Sequence, residues 1–293
     1  MKLSRNIFKL LLIFWIALGA GWSGGILYVS QQYVDRLLHP ACVYLMENPP
    51  FGFEDCSVSL PSGERLKGWW HPPQNGVAVL LLGGHGSSRD SLMWEARLLA
   101  QHGFGVLSMD SRVCAGLPAT LGVRESEDAQ VALEWIQSQP EVEQVAILGF
   151  SAGGVAGIRL AARNPQVVAV ITEGNYPSLK EEVLDTPPAV PFSLRWQLQH
   201  GVAFLLGIRL GMPIEAIRPI EDLEKIAPRP VLLIFGEKEA LDTRALDQYQ
   251  AAKEPKTLWI VPGADHGQYK EKAPQEYEVL LIQFLNQLSQ IQP

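Results

Sequence analysis

Val145-Ala146-Ile147-Leu148-Gly149-Phe150-Ser151-Ala152-Gly153-Gly154-Val155-Ala156 is the stretch that decides the fold of this chain. The uncharged run ending at Phe150 has the length and composition of a buried strand. The segment from Ala152 to Arg163 repeats apolar residues at three- and four-residue intervals, as a helix does. A serine at such a junction, flanked by Gly149 and Gly153, is a nucleophile elbow. The tight turn projects the hydroxyl into a site, and the glycines admit the close approach of strand and helix.

The same alternation extends outward in both directions. Apolar runs bounded by Gly or Pro recur at Val77 to Leu82, Gly105 to Met109, Val145 to Phe150, Val167 to Thr172, Val231 to Phe235 and Thr257 to Val261. Between them lie amphipathic stretches such as Ser91 to Gln101 and Glu125 to Gln137. Two earlier segments, Glu54 to Leu60 and Arg65 to His71, are separated by Pro61-Ser62-Gly63 and read as an antiparallel hairpin. The order predicts a mostly parallel eight-stranded sheet with helices on both faces and ligands at the carboxyl ends of the strands. One interval breaks the rhythm. Residues 176–228 are rich in proline and in apolar residues such as Phe192, Trp196, Phe204 and Ile208, and they predict a helical cap. A second membrane-touching hairpin is the weaker reading there, because Arg195, His200, Arg209 and Glu215 interrupt the apolar run.

A serine hydroxyl needs a base, and His266 follows the last strand in Pro262-Gly263-Ala264-Asp265-His266-Gly267. A carboxylate must hold the imidazole tautomer, and the segment after Val231 to Phe235 offers Glu239 and Asp242. Glu239 is the choice, which gives the chain order Ser151, Glu239, His266. Oxyanion stabilisation requires backbone donors. These are assigned to Ala152, at a helix start, and to Ser87, with Gly86 next, in the turn Gly83-Gly84-His85-Gly86-Ser87.

The N-terminus carries Lys2, Arg5 and Lys9, then no charge from Leu10 to Val29, enough to cross a bilayer as a helix. The expected organisation is an anchor over residues 1–30, a connector over 31–50 ending in Asn48-Pro49-Pro50, and a catalytic domain over 51–293. The flanking basic residues place that domain outside the cytoplasmic membrane. A cleaved signal peptide, with Ala17 and Gly19 as small residues at its site, would instead give a secreted protein. A formal net charge of -7 gives no electrostatic basis for binding nucleic acid. The three cysteines lack the paired spacing of a zinc site, and no metal or cofactor is implied. In an exported domain Cys42 and Cys56 would pair and leave Cys114 free; two unrelated buried thiols are the alternative.

Together the elbow, the His85-Gly86 turn, Asp110-Ser111-Arg112 and the segment around His266 resemble the α/β-hydrolase superfamily over residues 51–290. Through Gly68-Trp69-Trp70-His71-Pro72 the chain is similar to membrane-anchored hydrolase-domain proteins related to serine aminopeptidases and prolyl-oligopeptidase-like esterases. The resemblance implies hydrolysis of an ester, thioester or amide. The chain departs from the pattern at Glu239, where relatives usually carry Asp, and at Cys114-Ala115-Gly116, where many carry a Gly-His-Gly-like continuation. The leading expectation is a serine hydrolase acting on a small-molecule ester or lipid-like substrate through an acyl-enzyme. A peptidase or amidase using the same triad is the second reading, and a catalytically silent membrane-anchored scaffold the third.

Overall fold

The computed structural model of the chain describes residues 5–185 and 192–288. It divides into two compact units, one formed by Met1–Leu37 with Lys180–Ala216 and the other by Leu38–Leu179 with Ile217–Pro293.

The second unit is built on an eight-stranded sheet: β1 (Glu54–Ser59), β2 (Arg65–His71), β3 (Val77–Leu82), β4 (Gly105–Met109), β5 (Gln144–Phe150), β6 (Val167–Glu173), β7 (Val231–Gly236) and β8 (Lys256–Val261). The strands fall within one residue of their expected bounds. Their spatial order is β1-β2-β4-β3-β5-β6-β7-β8. β1 pairs antiparallel with β2, and β2 with β4, while every pair from β4 onward is parallel. The exchange of β3 and β4 leaves β3 and β5 as central neighbours, in register from Val77 against Gln144 to Leu82 against Gly149. Their carboxyl ends therefore bring the turn after β3 beside the elbow after β5.

Helices cover both faces, which is why the central strands read as unbroken apolar runs. Along β3 the side chains alternate. Val77, Val79 and Leu81 belong to a core with Leu99 and Ala96 of α2 (Met93–Gln101) and Leu281 and Leu285 near the C-terminus, while Ala78 and Leu80 join Leu133 and Ile136 of α3 (Glu125–Gln137) and Ile158 of α4 (Ala152–Arg163). Glu125 anchors the start of α3 by accepting from the Thr120 and Gly122 amides and the Thr120 hydroxyl, as suits an acid at a helix N-terminus.

In the first unit, α1 (Arg5–Leu38) is one continuous helix, so residues 31–38, expected in the connector, are helical. The interval between β6 and β7 holds α5 (Leu179–Asp185), α6 (Phe192–Leu210) and α7 (Pro219–Asp222). The chain ends with α8 (Ala245–Ala251), α9 (Tyr269–Lys272) and α10 (Pro274–Asn286).

The expected Cys42–Cys56 pairing is not formed. Cys42 is bonded to Cys114, with Cα atoms 5.2 Å apart, and Cys56 is the free thiol, on β1. Burial, with Asp55 adding to it, pushes the Cys56 thiol up to about 12, so it stays protonated and unreactive. The bond ties the segment after α1 to the helical turn Arg112–Ala115, and polar contacts reinforce it. Asp90 Oδ2 accepts from the Leu45 and Met46 amides, and Tyr44 Oη donates to Asp110 Oδ2 at 2.8 Å.

Candidate active site

Ser151 stands between β5 and α4 at φ +54°, ψ −121°. A side-chain-bearing residue rarely adopts a positive φ, and such strain persists only where the surroundings enforce it. Here its amide donates to the Glu173 carbonyl at 2.7 Å, and Val155 N–H returns to the Ser151 carbonyl at 3.2 Å. Gly153 is required by contact: a Cβ there would stand 2.1 Å from the Leu82 carbonyl oxygen. That absence lets the start of α4 approach the end of β3. Ala152 is the first residue of α4, where backbone N–H groups have no intrahelical acceptor.

On the neighbouring strands, the loop after β7 and the loop after β8 meet. His266 Nδ1 lies 2.6 Å from Glu239 Oε2. With Nδ1 donating to the carboxylate, Nε2 keeps its lone pair. Glu239 is buried, and its other oxygen, Oε1, accepts from the Gly236 amide at 2.8 Å and from Tyr269 Oη at 2.6 Å. Burial and the neighbouring Glu239 raise the Tyr269 hydroxyl well above its ordinary range, which keeps it a donor. Asp242, the alternative acid, is exposed, and so are Glu237 and Asp265.

The imidazole stacks on Phe150, the residue before Ser151, with ring centroids 4.8 Å apart. Gly174, at φ +59° just after β6, leaves room for this arrangement. A Cβ there would stand 2.4 Å from Tyr269 Oη and 2.7 Å from His266 Nδ1. Neither Gly174 nor Tyr269 was marked by a sequence signal; both act through packing between strands far apart in the chain.

The turn after β3 departs from expectation in one detail. Ser87 N–H, expected to face the site, donates instead to the Gly84 carbonyl at 3.2 Å and closes the turn, and the Ser87 carbonyl accepts from Ser111 N–H at 3.0 Å. In that turn Gly84 packs against the serine: a Cβ built there would lie 3.4 Å from Ser151 Cβ. Asp110 steadies the turn by accepting from Arg89 N–H at 2.8 Å and pairing with the Arg89 guanidinium at 2.9 Å.

Beside the imidazole, a cavity of about 240 Å³ is lined by Gly84, Phe150, Glu173, Tyr277 and Glu95 among others. Tyr277 Oη bridges the buried carboxylates Glu173 and Glu95, and Lys270 Nζ pairs with Glu95 at 2.7 Å. Burial, then the charge of Glu95, pushes Glu173 up to about 8. Among the described residues no three His, Cys, Asp or Glu side chains gather as metal ligands.

A strand-elbow-helix serine, a histidine after the last strand and an acid after the strand before it, on this sheet order, define the hydrolase class of α/β proteins. The chain matches the model of the alpha/beta hydrolase family over residues 79–278 and belongs to that family. It is 24% identical to the protein YfhR of Escherichia coli O157:H7 over 258 residues, 83% of this chain and 84% of YfhR. It is 26% identical to Cutinase 1 of Thermobifida cellulosilytica over 130 residues, 42% of this chain and 50% of the cutinase. The fold is shared with the Pyrococcus furiosus esterase Pf2001, at a TM-score of 0.66 and 20% identity, covering 86% of this chain and 98% of the esterase.

Proposed function

We propose that the protein is a serine hydrolase cleaving carboxylic esters through an acyl-enzyme, with Ser151 as nucleophile, His266 as general base and Glu239 as the acid that orients it. The observation that carries this reading is the 2.6 Å contact between His266 Nδ1 and Glu239 Oε2 beside a serine held at positive φ. His266 Nε2 takes the Ser151 proton as Oγ attacks the ester carbonyl, then delivers it to the departing alkoxide. Water, activated by the same nitrogen, then releases the acid. Glu239 stabilises the imidazolium that forms at each step. The tetrahedral oxygen is met by Ala152 N–H and, because Ser87 N–H is committed to its turn, by the Gly84–His85 peptide beside Ser151. Similarity to a cutinase supports an ester as the bond cleaved.

The same reading places the hydrolase at a membrane. Residues Ile7–Leu38 of α1 are long and apolar enough to span, with a mean hydropathy of 1.9 over their most apolar 18 residues, and Phe8, Leu10, Ile13, Phe14 and Trp15 are all exposed. Basic residues before the span and the Cys42–Cys114 bond after it suit a catalytic domain in an oxidising compartment outside the cytoplasm.

The test is labelling of the full chain with a fluorophosphonate probe, followed by intact-mass analysis. One adduct on the wild type and none on folded Ser151→Ala is expected. An adduct retained by Ser151→Ala, or none on the folded wild type, would overturn the mechanism.

A further inference from the structure

Within the first unit α1 and α6 run side by side in the same direction. Trp22 Nε1 donates to Gln197 Oε1 at 2.8 Å, Ser30 Oγ donates to the Leu198 carbonyl at 3.4 Å, and Arg209 meets Asp35 at 3.3 Å. Ascending positions on one helix thus meet ascending positions on the other. The backbones approach closely at Gly201, where a Cβ would stand 2.4 Å from Ser30 Oγ. Ser30 and Val34 of α1 are buried, and so are Leu198, Val202 and Leu206 of α6.

The opposite side of α6 is open. Trp196, Phe204 and Ile208 are 66%, 63% and 60% exposed, and with exposed His200 they form a stripe at four-residue spacing. An apolar stripe of this kind needs an apolar surrounding, and α1 defines which one. The uncharged stretch from Leu10 to Val29 is about 30 Å long, the thickness of a hydrocarbon core. Trp22 lies about 10 Å inside its C-terminal end at ~1.5 Å per residue. The Trp22–Gln197 hydrogen bond therefore sets the start of α6 beside the last turns of that stretch, while the Ser30–Leu198 and Asp35–Arg209 contacts carry the rest of α6 outward past Val29.

We propose that the outward stripe of α6 is immersed in the membrane leaflet at the C-terminal end of α1, with the lipid of that leaflet as its partner. The proposal rests on the reading of α1 as a span. The medium at the C-terminal end of the span, where Trp22, Tyr28 and Val29 are exposed, borders the start of α6, and the interfacial zone just beyond it borders the exposed face that follows. The charges agree. Arg195, His200 and Arg209 are the basic groups of α6, whose sequence contains no carboxylate, so the helix suits anionic headgroups. The charges that argue against a second spanning hairpin thus fit a helix that rises beside α1 through the interfacial zone of one leaflet, with Trp196 at its deep end.

The experiment uses the full chain in vesicles of phosphatidylcholine and phosphatidylglycerol. In a Cys56→Ser background, which leaves the Cys42–Cys114 bond intact, single cysteines carrying an environment-sensitive fluorophore are placed at Leu18, His200, Phe204 and exposed Glu141. Quenching is read with lipids spin-labelled at acyl carbon 5 or 12. The expected result is that probes at His200 and Phe204 are quenched at least threefold more than the probe at Glu141, and more by the shallow label than the deep one. The Leu18 probe is quenched most by the deep label. Quenching at Leu18 with His200 and Phe204 matching Glu141 overturns the immersion of α6 and leaves the span standing. Loss of quenching at Leu18 as well overturns the span and this inference with it.

Discussion

Tyr269 Oη donates to Glu239 Oε1 at 2.6 Å, on the carboxylate whose other oxygen receives His266 Nδ1. A buried acid with one oxygen held by a tyrosine and a backbone amide cannot rotate away from the imidazole. Tyr269→Phe removes one of these restraints. A hydrogen bond to a charged group contributes about 1.5–3 kcal/mol, so kcat for an ester substrate is expected to fall about tenfold or more while KM holds. Steady-state kinetics on a p-nitrophenyl ester checks this. A variant with unchanged kcat would show that Tyr269 does not position the acid.

The acid itself is tested by a pair of amides. Glu239→Gln presents an N–H or a neutral oxygen to Nδ1 and disturbs the tautomer, a change expected to lower kcat by roughly 10³–10⁴-fold. Asp242→Asn, at an exposed position, is expected to stay within about twofold of wild type. The reverse ranking would move the assignment to Asp242.

Gly174→Ala adds a methyl group where Tyr269 and His266 already stand, on backbone at φ +59°. Both the clash and the left-handed backbone act against the substitution. The expected outcome is loss of at least 90% of activity together with a stability loss of about 1–2 kcal/mol, read by kinetics and by thermal melting. Full activity would mean that the imidazole lies elsewhere in solution.

Glu173 gives a pH signature. Its carboxyl titrates near 8 in the folded protein against a reference of 4.5, so between those values the native state binds more protons than the unfolded one. Stability from this group is therefore complete at low pH and is lost as pH rises from 4.5 through 8. Asp128, raised to about 7 chiefly by burial, acts in the same direction. Glu173→Gln removes the Glu173 contribution, so Tm of the variant relative to wild type should rise between pH 5 and pH 8. A constant difference across that range would refute it.

The Cys42–Cys114 bond closes a loop with a sequence separation of 72, for which a stabilisation of about 2–4 kcal/mol is expected. Cys114→Ala should lower Tm, and so should reduction of the wild type, whereas Cys56→Ala should leave the bond in place on non-reducing peptide mapping. Recovery of a Cys42–Cys56 peptide would contradict the fold of the connector.

Much of this protein follows from local chemistry. The apolar runs, their Gly and Pro boundaries and the three-four periodicity between them set strand and helix to within a residue or two. Gly149-Phe150-Ser151-Ala152-Gly153 specifies its elbow because glycine spacing and backbone sterics act over a few residues. The order of serine, acid and histidine along the chain also follows once strands are assigned. Only the tertiary structure decided the rest, because those features depend on which distant strands lie side by side. The β3–β5 pairing brings Gly84 against Ser151, and the loops after β7 and β8 bring Glu239 rather than Asp242 to His266. Cys42 meets Cys114 instead of Cys56 for the same reason: a disulfide needs Cα atoms within a few ångströms, and proximity in space is not written in sequence separation.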